Sequence, residues 1–137
     1  MTIYVYTDGA SRGNPGRSAS GYSIFGVNGK PLSRLSFYNG MRTNNEAEYL
    51  AVIAALGKAA EISGKDEEVV LRSDSELVIR QLNGEYKVRD SKLKGLNADA
   101  KRLMKGLRSC RLENVRREDR HISEVDKDLN RLLDCLE

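Results

Sequence analysis

Tryptophan is absent from this chain of 137 residues, histidine occurs once and cysteine twice. With no CxxC pair and His121 as the single imidazole, no zinc-type ligand set can be assembled. Cys110 and Cys135 are read as buried or free thiols of a reducing compartment, not as a disulfide framework. No apolar run approaches the roughly 20 residues that span a bilayer, so no membrane partner is expected. The opening MTIYVYTD lacks a basic segment followed by an apolar stretch, so no secretory leader is expected and the cytoplasm is the default location. Repeats, linkers and low-complexity segments are also missing. What is present is a soluble, globular composition, 39% hydrophobic and 31% charged. Its length suits a single domain over residues 1–137, with a monomer as the default state.

The net charge of +3 says little by itself, but the charges are unevenly placed. Lys87, Arg89, Lys92, Lys94, Lys101, Arg102, Lys105, Arg108 and Arg111 lie close together with only Asp90 and Asp99 among them. Acids collect at 66–68 and in the C-terminal third. The basic run is either a solvated helix face or a surface that meets phosphates.

Periodicity gives the order βββαβααβα. TIYVYTD (2–8) is apolar, β-branched and aromatic, as a strand should be. Turn residues follow in GASRGNPG, then a second strand in SGYSIFGV (20–27), a hairpin signal at Asn28-Gly29 and a third strand in PLSRLSFYNG (31–40). Thr43 with Glu46 three residues on is a capping-box pattern. The helix it opens, EAEYLAVIAALGKAAEI (46–62), is apolar nearly all round and hence mostly buried, and Ser63-Gly64 stops it. EEVVLRSD (67–74) is a fourth strand. SELVIRQL (75–82) is a short helix, and 91–107 is a longer one. CRLENVRRE (110–118) is a fifth strand. The last helix, from Ile122 on, carries Val125, Leu129, Leu132, Leu133 and Leu136 on one stripe. Three strands in a meander followed by alternating strands and helices imply an α/β fold. Its mixed five-stranded sheet is antiparallel at one edge and parallel beyond, with helices against both faces.

Several acids stand where a core would not ask for them: Asp8 at a strand end, Glu46 and Glu48 in an apolar helix, Asp74 at another strand end, and Asp126 and Asp128 on the last helix. If strands one and four are neighbours, Asp8 and Asp74 face each other where ligand sites form in such sheets. Gathered carboxylates repel unless something neutralises them. Oxygen ligands without His or Cys suit Mg²⁺ or Mn²⁺, and two such ions roughly 4 Å apart can clamp an in-line displacement at phosphorus. Taken singly, each acid also has a structural reading. Asp74 can cap the helix after it, as can Ser73 or Ser75, and a Glu in a first helical turn is favoured by the dipole. Periodicity does not choose between Glu46 and Glu48.

YTDGASRGNPG after the first strand, RTNNEAEYLAVIAAL opening the first helix, and RSDSELVIRQLNGEYKV resemble the type 1 ribonuclease H family, in the same order and over nearly the whole chain. The resemblance implies a five-stranded mixed sheet and hydrolysis of the RNA strand of RNA–DNA hybrids with two Mg²⁺ ions, leaving a 5′-phosphate and a 3′-hydroxyl. Mn²⁺ is a possible substitute. It assigns Asp8 as the acid shared by both metals, Glu48 and not Glu46 as the second ligand, Asp74 as the third, and Asp126 as the fourth, with Asp128 as the alternative register. Gly9, Ala10, Ser11, Arg12, Gly13 and Asn14, with Asn44 and Asn45, resemble the groups that meet the minor groove and its 2′-hydroxyls. Gly9, Gly13 and Gly16 are expected to let the turn come close to the substrate. Arg42 and Thr43 resemble a phosphate pocket for the DNA strand. His121 resembles a loop histidine that shuttles protons or aids product release, with Arg117 and Arg120 as alternatives. Larger members carry a basic, Trp-containing protrusion after the fourth-strand helix. This chain has only NGEYKVRDSKLKG there, similar to the compact branch, which shifts substrate grip to Lys87–Lys94 and their neighbours. Cleavage of double-stranded RNA as well, or a non-catalytic nucleic-acid-binding module on the same fold, are the alternatives.

Overall fold

The computed structural model describes residues 2–63 and 67–136; the Gly64 stop and Asp66 lie outside them. Five strands are observed: β1 (Thr2–Gly13), β2 (Gly16–Phe25), β3 (Pro31–Arg42), β4 (Glu68–Ser73) and β5 (Ser109–Asn114). The helices are α1 (Asn44–Ser63), α2 (Glu76–Leu82), α3 (Ser91–Lys105) and α4 (Arg120–Cys135). They follow the expected βββαβααβα order. The strands form one sheet in the order β3-β2-β1-β4-β5. β1 and β2 pair antiparallel, as do β2 and β3, whereas β4 runs parallel to both β1 and β5. Among the described residues no helix is long and apolar enough to cross a membrane.

Several boundaries differ from the sequence reading. β1 does not end at Asp8 but continues to Gly13, because β2 begins at Gly16 and stays in register with it from Tyr4↔Phe25 to Gly13↔Gly16. The GASRGNPG stretch is therefore mostly strand, and its reversal is confined to Asn14 and Pro15, with Gly13 at a φ of 111°. The Asn28-Gly29 signal does mark a reversal, with left-handed φ of 61° and 73°. It forms part of a 3-10 turn over Val27–Gly29 that is closed by the Gly26 amide donating to the Lys30 carbonyl at 2.8 Å. β5 stops at Asn114, not at 118. Its neighbour β4 has run out at Ser73, and the Val115 amide and Asn114 Nδ2 both donate to the Ser73 carbonyl before the chain turns away.

The sheet is covered on both faces. Ile3, Val5, Tyr22, Ile24, Val69 and Leu71 join Tyr49, Val52 and Leu56 of α1, and α3 closes over α1 from outside. That double contact explains why α1 is apolar nearly all round. On the opposite face Ala19 meets Val125, Leu129 and Leu133 of α4. Leu136 lies outside this stripe, at the exposed helix end. Both cysteines are free thiols; burial pushes the half-buried Cys110 up to about 11, which makes it a poor nucleophile.

Candidate active site

The acids converge because two strands end at different heights. β1 and β4 pair only as far as Thr7↔Ser73, so Asp8 is the first β1 residue without a β4 neighbour, and Asp74 is the first residue past β4. Ser75 caps α2, accepting from the Val78 amide at 3.3 Å, while Ser73 Oγ accepts from the Ser75 amide. Asp74 is thus released from capping.

Glu48 reaches the same spot from α1. A Cβ on Gly9 would lie 2.4 Å from the Ala47 carbonyl carbon and 2.5 Å from the Glu48 amide nitrogen. The bare Cα of Gly9 therefore admits the start of α1 against β1, which is a different use from the approach to substrate expected of it. Carboxylate oxygens of Asp8, Glu48 and Asp74 all lie within 4.8 Å of one another. Asp126, on the second turn of α4, lines the same open cavity of about 590 Å³, together with Ala10, Asn44, Arg116 and Arg117.

Electrostatics follow from this crowding. Burial first, then the charges of Asp74 and Asp126, push Asp8 up to about 8, against which the Gly9 amide donates at 3.0 Å. Burial and the charges of Asp8 and Asp74 hold Glu48 well above the usual carboxylate range. Asp74 is raised chiefly by burial, with Arg117 pulling it back down. Glu48 Oε1 and Asp74 Oδ1 are buried without a hydrogen-bond partner. Buried carboxylate oxygens need compensation. An all-oxygen set that repels itself and keeps unpartnered lone pairs fits one or more hard divalent cations.

The other acids are occupied. Glu46 Oε1 accepts from the Thr43 amide at 3.0 Å while Thr43 Oγ1 accepts from the Glu46 amide at 3.2 Å, a complete capping box. Burial works to raise Glu46, but the Thr43 amide and Arg42 outweigh it and hold its carboxyl low. Asp128 accepts from Arg34 Nε and a second guanidinium nitrogen at 2.7 and 2.8 Å, which turns it toward β3 and leaves Asp126 as the α4 acid in the cavity.

The expected substrate contacts separate into groups. Asn14, Thr43 and Asn45 line a second cavity of about 390 Å³ with Lys92. Asn14 Oδ1 also accepts from the Asn44 amide at 3.0 Å. Arg42 is not in that lining; its guanidinium sits 3.2 Å from Glu46. Ser11 Oγ donates to the Arg42 carbonyl at 2.8 Å and also contacts the Gly13 carbonyl. Arg12 turns to the α4 side, 2.7 Å from Asp134 and 3.3 Å from the Asn130 carbonyl and Oδ1. Along the basic run every side chain is exposed, but Arg102 pairs with Asp99 and Arg111 with Glu68 and Glu113, leaving Lys92 as the member that adjoins a cavity of this site.

His121 lies elsewhere. Its ring packs against Tyr6 and Phe25, with centroids 4.5 and 4.4 Å away, and it lines a different cavity, shared with Arg120. The acid cavity is instead lined by Arg116, Arg117 and Glu118 of the β5–α4 loop. Of these only Arg117 is suggested by the sequence; Arg116, Glu118 and Asn114 carry no local signal.

A mixed sheet of this order, with acids meeting at the ends of its first and fourth strands, is a ribonuclease H fold, and solved structures agree. The crystal structure of RNase H1 from the halophilic archaeon Halobacterium salinarum NRC-1 superposes with a TM-score of 0.90 at 36% identity, covering 98% of each chain. LC11-RNase H1 in complex with RNA/DNA hybrid gives 0.85 at 35% identity over 96% of this chain and 99% of that one. Residues 1–123 match the RNase H family profile, and the chain belongs to that family. Ribonuclease HI of Halobacterium salinarum is 39% identical over 115 residues, which is 84% of this chain but 57% of that protein. The profile match ends three residues before Asp126, so the placement of that acid rests on the geometry above.

Proposed function

We propose that the chain is an endoribonuclease that hydrolyses the RNA strand of RNA–DNA hybrids with two Mg²⁺ ions, for which Mn²⁺ can substitute, leaving 5′-phosphate and 3′-hydroxyl ends. One observation carries this reading: two buried carboxylates, Asp8 and Glu48, and the half-buried Asp74 lie within 4.8 Å of one another, two of the three with unpartnered oxygens, in the lining of an open polar cavity. Asp8, Glu48, Asp74 and Asp126 would hold the metal. Bound there, the ions would supply a Lewis acid for the phosphoryl oxygen and an activated water.

The protein's own groups do the rest. Arg117, which already bears on Asp74 across the cavity, offers a cation to a phosphate entering above the acids. Ala10 and Asn44 on the cavity rim present short polar or backbone groups that can meet a 2′-hydroxyl, the feature that marks an RNA strand. The neighbouring cavity of Asn14, Thr43, Asn45 and Lys92 is suited to a phosphate of the DNA strand. The exposed basic groups from Lys87 to Lys94 extend that grip. His121, held between Tyr6 and Phe25, is assigned a packing role.

Labelled hybrid, double-stranded RNA and DNA duplex, each with Mg²⁺, Mn²⁺ or EDTA, test the reading. Metal-dependent cutting of the RNA strand of the hybrid is expected. Binding without cutting would leave a nucleic-acid-binding module, and cutting in EDTA would remove the metal from the mechanism. Two substitutions are expected to spare the reaction. Glu46→Gln keeps the rate within about threefold but loses about 1 kcal/mol of stability, the worth of a cap. Asp128→Asn keeps the rate and costs under about 1 kcal/mol, because Arg34 is half exposed and gains little from the pair. A dead Glu46→Gln beside an active Glu48→Gln, or a dead Asp128→Asn beside an active Asp126→Asn, would reverse either assignment.

A further inference from the structure

Arg12 lies between Ala10 and Asn14, which line the two cavities, yet its own side chain turns away from both. β1 side chains alternate between sheet faces, so Arg12 shares the α4 face with Asp8 and Ala10. There its guanidinium spans one turn of α4, meeting the Asn130 carbonyl, Asn130 Oδ1 and Asp134. Asn130 in turn donates from Nδ2 to the Asp126 carbonyl at 3.0 Å. Arg12 is thus joined to the backbone of Asp126 through a single side chain. Four residues earlier on the same strand is Asp8.

The chain therefore contains a closed loop of connections: Asp8 to Arg12 along β1, Arg12 to Asn130 across the face, Asn130 to Asp126 along α4, and Asp126 back toward Asp8 across the cavity. The bidentate pair of Arg34 with Asp128 also fastens α4, to β3, but among the described contacts the Arg12–Asn130 link is the one that runs from the strand of Asp8 to the backbone of Asp126. Val125 and Leu129 seat α4 on the sheet, but apolar packing alone resists sliding along the helix axis weakly compared with directed hydrogen bonds. Arg17, two residues past the hairpin turn, donates to the Leu136 carbonyl at 2.7 Å and ties down only the far end of α4.

We propose that Arg12 is a positioning residue, which sets the height of Asp126 over Asp8 through Asn130 and so tunes the metal site without touching substrate. The inference rests on the reading of Asp8, Glu48, Asp74 and Asp126 as metal ligands. Partners one shell out from a ligand commonly change metal affinity about 10- to 100-fold. Arg12 is a shell further away, so a smaller effect is expected.

The test uses Mn²⁺ titrated calorimetrically into the hybrid-free chain, and hybrid binding measured in Ca²⁺. Arg12→Ala is expected to weaken Mn²⁺ binding about 3- to 10-fold, while hybrid affinity stays within about twofold. In an Asp126→Asn background the same substitution should change Mn²⁺ affinity by less than about twofold, because the carboxylate it positions is gone. Arg17→Ala serves as the control for general loosening of α4 and should leave the isotherm alone. Hybrid affinity lost with the Mn²⁺ isotherm intact would make Arg12 a substrate contact and overturn the proposal. Equal losses in both backgrounds would do so too, by showing a merely structural role. A wild-type chain that binds no Mn²⁺ would instead sink the metal reading beneath it.

Discussion

Asp8→Asn is expected to cut hybrid cleavage by at least about 10³-fold, a rise of about 4 kcal/mol in the barrier, and yet to melt higher than the wild-type chain in EDTA. Both effects come from one arrangement. Asp8 offers its carboxylate within 4.8 Å of those of Glu48 and Asp74, and it feels the charges of Asp74 and of Asp126, which lines the same cavity. Burial and those neighbours push it up to about 8, which means that the empty site is better off without the charge. Asparagine keeps the shape and keeps an oxygen for the Gly9 amide now donating at 3.0 Å, but removes the repulsion. A gain of about 1–2 kcal/mol in metal-free buffer is the size expected when a strained functional site is relaxed. With Mg²⁺ the order should reverse, since only the wild-type set offers a full complement of anionic oxygens. Thermal melts with and without Mg²⁺, run beside the cleavage assay, check all three outcomes. A variant that loses activity and also melts lower in EDTA would show that Asp8 is held by favourable contacts and not against repulsion.

Metal-free stability is expected to fall as pH rises from about 5 to about 8, the opposite of what paired carboxylates give. The folded chain holds a proton on Asp8 up to about 8, whereas the unfolded chain releases it near 3.8. Between those values the folded state binds more protons, so stability decreases with rising pH. Glu48 and Asp74 are raised as well and act in the same sense. Glu46 and Glu113 are shifted down, by the Thr43 cap and by Arg72 respectively, and their contribution is lost only as pH drops below about 4.5. Metal-free stability should therefore peak near pH 5. A loss of about 2 kcal/mol between pH 5 and pH 8 corresponds to about 6–10 °C in melting temperature for a chain of this size. Saturating Mg²⁺ should flatten the slope by compensating the charges, and Asp8→Asn should reduce it in EDTA. A melting temperature that rises from pH 5 to pH 8 in EDTA would contradict the crowded-acid picture.

Local features were legible without coordinates. The Thr43–Glu46 capping box is one, because both partners lie within a single helical turn and need nothing from the rest of the chain. The stripe of Val125, Leu129 and Leu133 is another, since helical pitch alone puts these residues on one face. Asp8 and Asp74 were expected to meet if strands one and four were neighbours, and the parallel β1–β4 pairing supplies that condition. The end of β1 was misplaced because its glycines and polar residues read as turn, while pairing with β2 overrode that preference over five more residues.

Sequence by itself determined the element order, the sheet class, the all-round apolar character of α1, the apolar stripe of α4 and the residue types from which a hard-cation site could be drawn. It also carried the motifs that single out Asp8, Glu48 and Asp74. Tertiary structure decided what each polar side chain faces. Arg12 meets Asn130 and Asp134 from 118 and 122 positions away, His121 meets Tyr6 and Phe25, and Arg34 takes Asp128 and leaves Asp126 to the cavity. The physical reason is range. Capping and periodicity act within a turn or a strand, where spacing along the chain is distance in space. Long charged and aromatic side chains choose partners only after the sheet and its two helical layers have set which groups lie within about 3 Å of them.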